Sequence, residues 1–332
     1  MNLKGPNKIE SMPHSQRKIL LTRKLPTVVE NRLRLSYDIT LNTSDRAMSE
    51  AELSLAMLDF DALVSTVSDP LNAAVLQTDS HRVQLIANVG VGYSNIDTKI
   101  ASSEGISVSN TPDVLTDATA DIALLLILSV TRRAYAAEGK LRNGLWQGFS
   151  LVDGLGSSMQ GKVIGIIGMG RIGQATARRA VFALGMKVIF YNRSAITDLD
   201  FEASRVDTIA DLMRSADVVS VHVPGSGLSP TVTAAHIELL KPTAYLVNTA
   251  RGDSIDQAAL VRSLTEGRIA GAGLDVYIDE PNVPAELRAL DNVTLLPHIG
   301  SATEEVRTAM GMIAADNLDA FFSNEPLPNK VV

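Results

Sequence analysis

The chain has 332 residues, 45% of them apolar, enough for two domains of ordinary size with a core each. A formal net charge of −7 argues against a general nucleic-acid binder, whose surface is basic, but leaves room for a small anionic substrate held by a few local arginines. With no cysteine, disulfides, thiolate metal sites and cysteine nucleophiles are all excluded.

The stretch up to about Gln16 is polar and lacks the apolar core of a signal peptide, so a loose tail over 1–16 or a mis-called start is expected. From Lys18, KILLT, ALVST, VQLIANVG and ISVSNT read as buried strands with helix-compatible stretches between most of them, the alternation of an α/β layer with a parallel sheet. Thr116 to about Asn143 reads as one long helix bridging two domains. Thr116 and Asp117 can cap its start, Asp121 suits the positive end of its dipole, and Gly144 can end it. Its apolar run, Ile122 to Val130, is too short to span a bilayer, so a soluble cytoplasmic protein with no membrane partner is expected. A second strand series follows: KVIGIIG, KVIFYN, DVVSVHV, AYLVNT, AGAGLDV and VTLLP. Two sheets imply two domains. A last helix starts at Ser301, where SATE reads as a capping box with Glu304, and places Val306, Met310, Ile313 and Phe321 roughly on one face. No strand follows it, so the helix is expected to return to the first domain and make that domain discontinuous.

Gly168, Gly170 and Gly173 in GMGRIG follow the apolar strand VIGII and precede a helix-like run. The first permits a tight turn, the second lets backbone approach a pyrophosphate, and the third allows close helix–strand packing. The helix N-terminus then offers amides and a positive dipole to phosphates. Glycine turns are common and some methyltransferases share the pattern, but the strand–turn–helix context followed by a second strand points to a nicotinamide dinucleotide. NVGVGYSNID has Gly90 and Gly92 but Asn95 where a third glycine would stand, so it reads instead as a strand-end turn that lends backbone amides to a ligand.

About twenty residues beyond the glycines, a carboxylate normally accepts the ribose 2′-hydroxyl of NAD. Here the chain reads YNRS. Asn192 removes the repulsion toward a 2′-phosphate, Arg193 supplies a guanidinium and Ser194 a hydroxyl. Hydrogen bonds to charged groups contribute about 1.5–3 kcal/mol each, roughly ten- to a hundred-fold in affinity. NADP(H) is therefore expected over NAD(H), with NAD(H) possible; the bland alternative makes Arg193 a solvated loop residue.

Ligands of open parallel sheets sit at the carboxyl ends of the strands, and three chemically suggestive residues lie just past such ends: Arg251 after AYLVNT, Glu280 after GLDV and His298 after VTLLP. Reducing a 2-keto acid needs a hydride at the carbonyl carbon and a proton at its oxygen. An imidazolium can give the proton, a neighbouring carboxylate favours the charged ring and orients it, and an arginine fork matches a substrate carboxylate. Against these roles stand a structural ion pair for Arg251, a turn residue before Pro281 for Glu280 and a satisfied histidine for His298. His222 in VSVHVP is the rival catalytic base, better read as a wall of the cofactor pocket for want of a matching acid. His14, His81 and His236 read as surface residues. Asp275 either accepts from a nicotinamide carboxamide or is a buried structural acid.

In order and spacing, NVGVGYSNID, NTPDVLTDATAD, GKVIGIIGMGRIG, VNTARGD, GLDVYIDEP and LLPHIGSAT resemble the D-isomer-specific 2-hydroxyacid dehydrogenases over nearly the whole chain. VLTDATAD, YNRS and HIGSAT most resemble the glyoxylate/hydroxypyruvate reductase branch, which commonly uses NADPH. The resemblance implies an α/β fold of two doubly wound parallel-sheet domains. A Rossmann coenzyme domain (112–298) is inserted in a flavodoxin-like substrate domain (17–111 and 299–332). It implies catalytic roles for Arg251, Glu280 and His298, and a substrate carboxylate held by the amides of Val91 and Gly92 and by Arg251. Cofactor contacts fall on Gly168, Arg171, Ile172, Asn192, Arg193, Pro224, Thr249, Asp275 and Thr116. A homodimer joined through the coenzyme domain, with the long helix taking part, is also implied. Ser94 stands where the family often has Asp. An NAD-dependent dehydrogenase of another D-2-hydroxy acid is the alternative enzyme; a dinucleotide-sensing regulatory protein is the alternative outside enzymes. Formate dehydrogenases, which share the fold, carry an amide where Glu280 stands.

Overall fold

The short apolar runs become two wholly parallel sheets in the computed structural model, which describes residues 13–225 and 229–332. Most of the expected tail lies outside the described residues, but its last part, His14–Gln16, forms a 3₁₀ turn and His14 stacks on Tyr37 with ring centroids 5.7 Å apart.

The first unit runs to Leu115 and resumes at Ala302–Val332. Its strands are β1 (Lys18–Leu21), β2 (Asp38–Leu41), β3 (Ala62–Thr66), β4 (Leu85–Val89) and β5 (Ser107–Ser109), in the order β2-β1-β3-β4-β5. Between them lie α1 (Thr27–Ser36), α2 (Glu50–Asp59), α3 (Ala73–Leu76) and α4 (Thr98–Ser103). β3 and β4 are buried along nearly their whole length, as central strands covered on both faces must be. β2 was not expected from the sequence, because DITL is a half-exposed edge strand with no continuous apolar run.

The second unit is Thr116–Ser301, where the sequence reading draws its limits at 112 and 298. It opens with α5 (Thr116–Thr131) and α6 (Ala134–Arg142). Its strands are β6 (Val163–Ile167), β7 (Lys187–Tyr191), β8 (Ala203–Arg205), β9 (Val218–Val221), β10 (Tyr245–Asn248), β11 (Gly271–Leu274) and β12 (Val293–Leu295). They are connected through α7 (Arg171–Leu184), α8 (Ile209–Ser215), α9 (Ala234–Ile237), α10 (Gln257–Thr265) and α11 (Ala285–Arg288), and α12 (Glu304–Phe322) closes the chain in the first unit. The order β12-β11-β10-β9-β6-β7-β8 reverses direction at β6. Alternate strand residues feed two cores: Ile164, Ile166, Val218 and Val247 pack with α5 and α7, while Ile167, Val219, Val221 and Leu246 pack with α8, α9 and α10. The period of two is what makes the sheet doubly wound. β8, another short edge strand, also escapes the sequence reading.

Two helix expectations are corrected. The long helix is two helices, because Arg133 adopts φ +54° between them. Its cause is tertiary: the Thr131 carbonyl accepts from Ser157 N at 2.8 Å, and Gly156 lies so close that a Cβ there would stand 2.5 Å from the same oxygen. The last helix is capped not by Ser301 but by Thr303, whose side chain accepts from Val306 N at 3.2 Å. Residues 299–300 are held outside the helix by bonds to Asp275, so the first turn forms two residues later than SATE suggests. Its buried stripe is accordingly Met310, Ala314, Leu318 and Phe322; Val306, Ile313 and Phe321 are only partly buried.

Candidate active site

Gly168, directly after β6, takes φ +95°, and a Cβ there would meet His222 O at 2.8 Å. A Cβ on Gly173 would stand 2.1 Å from Gly168 O, so α7 packs onto the strand end only because that residue is glycine. Gly170 caps α7, and nothing lies within 4 Å of where its Cβ would be. The first-turn amides at Ile172 and Gly173 lack intrahelical acceptors, as at any helix start. An open approach to a helix N-terminus fits a pyrophosphate.

At the neighbouring strand end, Asn192 Oδ1 accepts from Met169 N at 3.1 Å and its Nδ2 donates to Ser194 O at 3.0 Å, tying the turn after β7 to the glycine turn. Arg205 on β8 donates to Asn192 O at 3.1 Å. Arg193 and Ser194 are exposed, and Arg193 makes no ion pair among the described residues. Pro224 is exposed just past β9, and Thr116 opens α5. Thr249, just past β10, is buried with its Oγ1 unpartnered among the described residues.

The Arg251, Glu280 and His298 loops follow β10, β11 and β12, which are neighbours in the sheet. His298 Nδ1 lies 2.6 Å from Glu280 Oε2, each side chain about one-third exposed. The acceptor is a carboxylate, so Nδ1 carries the proton of this bond, and Nε2 is the ring's other nitrogen. Glu280 Oε1 accepts from Tyr277 N at 2.9 Å, which fixes the second oxygen. Burial pushes the Glu280 carboxyl up, but the His298 bond, the Tyr277 amide and the Arg251 charge outweigh it and hold it below the usual range. Burial pulls the Arg251 guanidinium down, opposed by the charges of Glu280 and Asp253. Its Nη1 donates to Ala250 O at 2.6 Å.

His298 itself has φ +55°, a strained conformation for a residue with a side chain. Asp275 maintains it: His298 N donates to Asp275 O at 2.9 Å, and Ile299 N and Gly300 N donate to the two carboxylate oxygens at 2.8 Å each. Burial raises the Asp275 carboxyl, while those amides and the His298 charge oppose it.

His222 Nε2 lies 2.9 Å from Ser220 Oγ, and burial pulls its ring down to about 4. A neutral imidazole with no acid partner cannot serve as the proton donor near neutrality. His14, His81 and His236 are half-buried rather than surface residues: His81 Nδ1 contacts Val83 O at 3.1 Å and His236 closes a capping box with Thr233.

Several supporting residues were not read from the sequence. Asn248 clamps the Arg251 turn, its Nδ2 donating to Arg251 O at 2.8 Å and its Oδ1 accepting from Ala250 N at 3.0 Å. Tyr277 donates its hydroxyl to Leu296 O at 2.9 Å, linking the loops after β11 and β12. The available signal was a polar asparagine ending the otherwise apolar strand YLVN. Val91 and Gly92 belong to the first unit, beyond β4.

The family profile described as D-isomer specific 2-hydroxyacid dehydrogenase, NAD binding domain, matches residues 124–300. A glyoxylate reductase of Thermococcus litoralis is 41% identical over 321 residues, covering 95% of this chain and 96% of that protein. Among solved structures, a protein of Thermus thermophilus superposes with TM-score 0.86 at 36% identity, covering 95% of this chain and 100% of its own. The NADPH-dependent glyoxylate/hydroxypyruvate reductase of Sinorhizobium meliloti, solved with NADP and malonate, gives TM-score 0.84 at 36% identity, over 96% of this chain and 97% of its own.

Proposed function

Because the chain belongs to the D-isomer specific 2-hydroxyacid dehydrogenase family, glyoxylate reductase branch, we propose that it reduces small 2-keto acids, glyoxylate and hydroxypyruvate foremost, to 2-hydroxy acids with NADPH. The observation that carries this is the 2.6 Å His298–Glu280 pair, with the Arg251 charge acting on the same carboxylate. When bound, the reduced nicotinamide supplies a hydride to the carbonyl carbon. His298 Nε2 gives the carbonyl oxygen its proton, and the ionised Glu280 balances the imidazolium before that transfer. Arg251 holds a substrate carboxylate and withdraws density from the carbonyl; in the first unit, the Val91 and Gly92 amides are the proposed donors to a carboxylate. The Gly168–Gly173 turn with Arg171 and Ile172 receives the pyrophosphate, while Thr116, Pro224, Thr249 and Asp275 line the remainder of the coenzyme. Asn192, Arg193 and Ser194 admit a 2′-phosphate that an acid there would repel.

A homodimer is part of the proposal. The segment from α5 past α6 exposes Leu125, Leu145, Trp146, Phe149 and Val152, with Phe149 87% and Val152 82% exposed. Large apolar side chains exposed along one segment support an association surface there. Among the described residues no helix is long and apolar enough to cross a membrane.

The test is kcat/KM for glyoxylate and hydroxypyruvate with NADPH and NADH, in wild type and Arg193→Ala. The proposal expects NADPH to be favoured, and that preference to fall about tenfold or more in the variant. Equal efficiency with both coenzymes in the wild type defeats the coenzyme assignment. No turnover of any small 2-keto acid defeats the activity.

A further inference from the structure

At the carboxyl end of β4, three consecutive carbonyls are pinned from within the first unit. Gly90 O accepts from Thr111 N at 3.0 Å, Val91 O from Asn110 Nδ2 at 2.9 Å, and Gly92 O from Asn88 Nδ2 at 3.1 Å. A trans peptide sets its N–H opposite its C=O. Fixing Gly90 O therefore directs the Val91 N–H away from the β5 side, and fixing Val91 O does the same for the Gly92 N–H. Neither amide has a hydrogen-bond partner among the described residues. Neighbouring amides turned to one side form a concavity suited to an anion. The turn tolerates no side chain at its start, because a Cβ on Gly90 would lie 2.8 Å from Val67 Cγ1. Asn110 is itself anchored, its backbone N donating to Asn329 O at 3.2 Å.

We propose that Asn110 is a positioning residue for substrate binding: its side-chain amide holds the Val91 carbonyl so that the Val91 and Gly92 amides together receive the carboxylate of the 2-keto acid. The inference rests on the proposed reading of those two amides. The neighbouring bond from Thr111 is made by backbone and survives substitution, so Asn110 is the handle by which the geometry can be altered. Asn110→Ala removes the donor. Asn110→Asp, of the same size, sets an acceptor-only carboxylate against Val91 O and favours a peptide flip that turns the Gly92 amide away.

The experiment uses the full-length protein with NADPH. It measures KM for glyoxylate, Ki for oxamate (a 2-keto acid isostere that is not reduced), KM for NADPH, and Tm, for wild type and both variants. Loss of one charge-assisted bond predicts glyoxylate KM and oxamate Ki raised about tenfold or more in Asn110→Ala and further in Asn110→Asp, with NADPH KM within about twofold. A merely structural role would move the NADPH KM and the Tm in step with them, and that result overturns the inference. Glyoxylate and oxamate constants unchanged in both variants, with the wild type active, overturn it alone. A wild type that neither reduces 2-keto acids nor binds oxamate overturns the proposed function and this inference together. If Asn110→Ala does not fold, Asn110→Asp carries the same comparison.

Discussion

Replacing Glu280 by glutamine changes one atom and attacks the proton supply. In the native site Oε1 accepts from Tyr277 N at 2.9 Å and Oε2 faces His298 Nδ1 at 2.6 Å. A glutamine keeps its single oxygen on the Tyr277 amide, so its NH₂ faces Nδ1. The ring must then accept at Nδ1 and hold its one proton at Nε2, where a neutral imidazole is a very poor acid. The direct electrostatic loss is the difference between a hydrogen bond to a charged group and a neutral one, about 1–2 kcal/mol. That alone is roughly 5- to 30-fold in rate. Loss of an effective general acid adds to it, general acid–base catalysis contributing about 10²–10⁴-fold. Together the two terms give an expected fall of about 10³-fold or more in kcat for glyoxylate reduction. The NADPH KM should be little changed, since the altered atom does not belong to the glycine turn. Following nicotinamide absorbance in steady state and in a single turnover reads both quantities. A single-turnover rate within about threefold of wild type would refute the reasoning, because it would mean the carboxylate neither sets the tautomer nor balances the charge.

Three further outcomes follow from the same geometry. Asp275→Asn leaves one acceptor for two amides that now reach two oxygens at 2.8 Å each, so it should cost about 1.5–3 kcal/mol of stability in denaturant unfolding and lower kcat by releasing His298 from its left-handed backbone. Gly252→Ala places a Cβ 2.0 Å from the Tyr277 carbonyl carbon, so overpacking of about 1–3 kcal/mol should lower Tm and spread the Arg251 and Glu280 loops, read as a raised glyoxylate KM. The His222 ring should stay neutral in NMR titration until about pH 4. Its folded pKa lies below the unfolded one, so its effect on stability is a loss that grows as pH falls from the ordinary histidine range toward that value and then levels off.

Much of this arrangement could be read from sequence because it depends on local chemistry. Gly168 needs a positive φ and Gly173 a missing Cβ, and both requirements show as glycines at fixed spacing after VIGII. Arg251, Glu280 and His298 were visible because each lies just past an apolar run, and parallel strands carry such residues to one sheet edge. What stayed hidden was set by contacts between distant segments. Arg133 breaks the long helix because Ser157 takes the Thr131 carbonyl, a bond that no helical periodicity reveals. Thr303 displaces Ser301 as the cap because Asp275 has claimed the preceding amides. Edge strands β2 and β8 are too polar and too exposed for a burial pattern. Asn248 and Asn110 look like ordinary turn residues until their carbonyl partners are seen.

The account stands or falls on His298 as the proton donor, and the most direct measurement is a single turnover of glyoxylate with His298→Ala preloaded with NADPH. The expected result is a hydride-transfer rate lowered by about 10²–10⁴-fold while fluorescence titration shows unchanged NADPH affinity. A variant that binds NADPH normally and reduces glyoxylate at the wild-type rate would contradict the account.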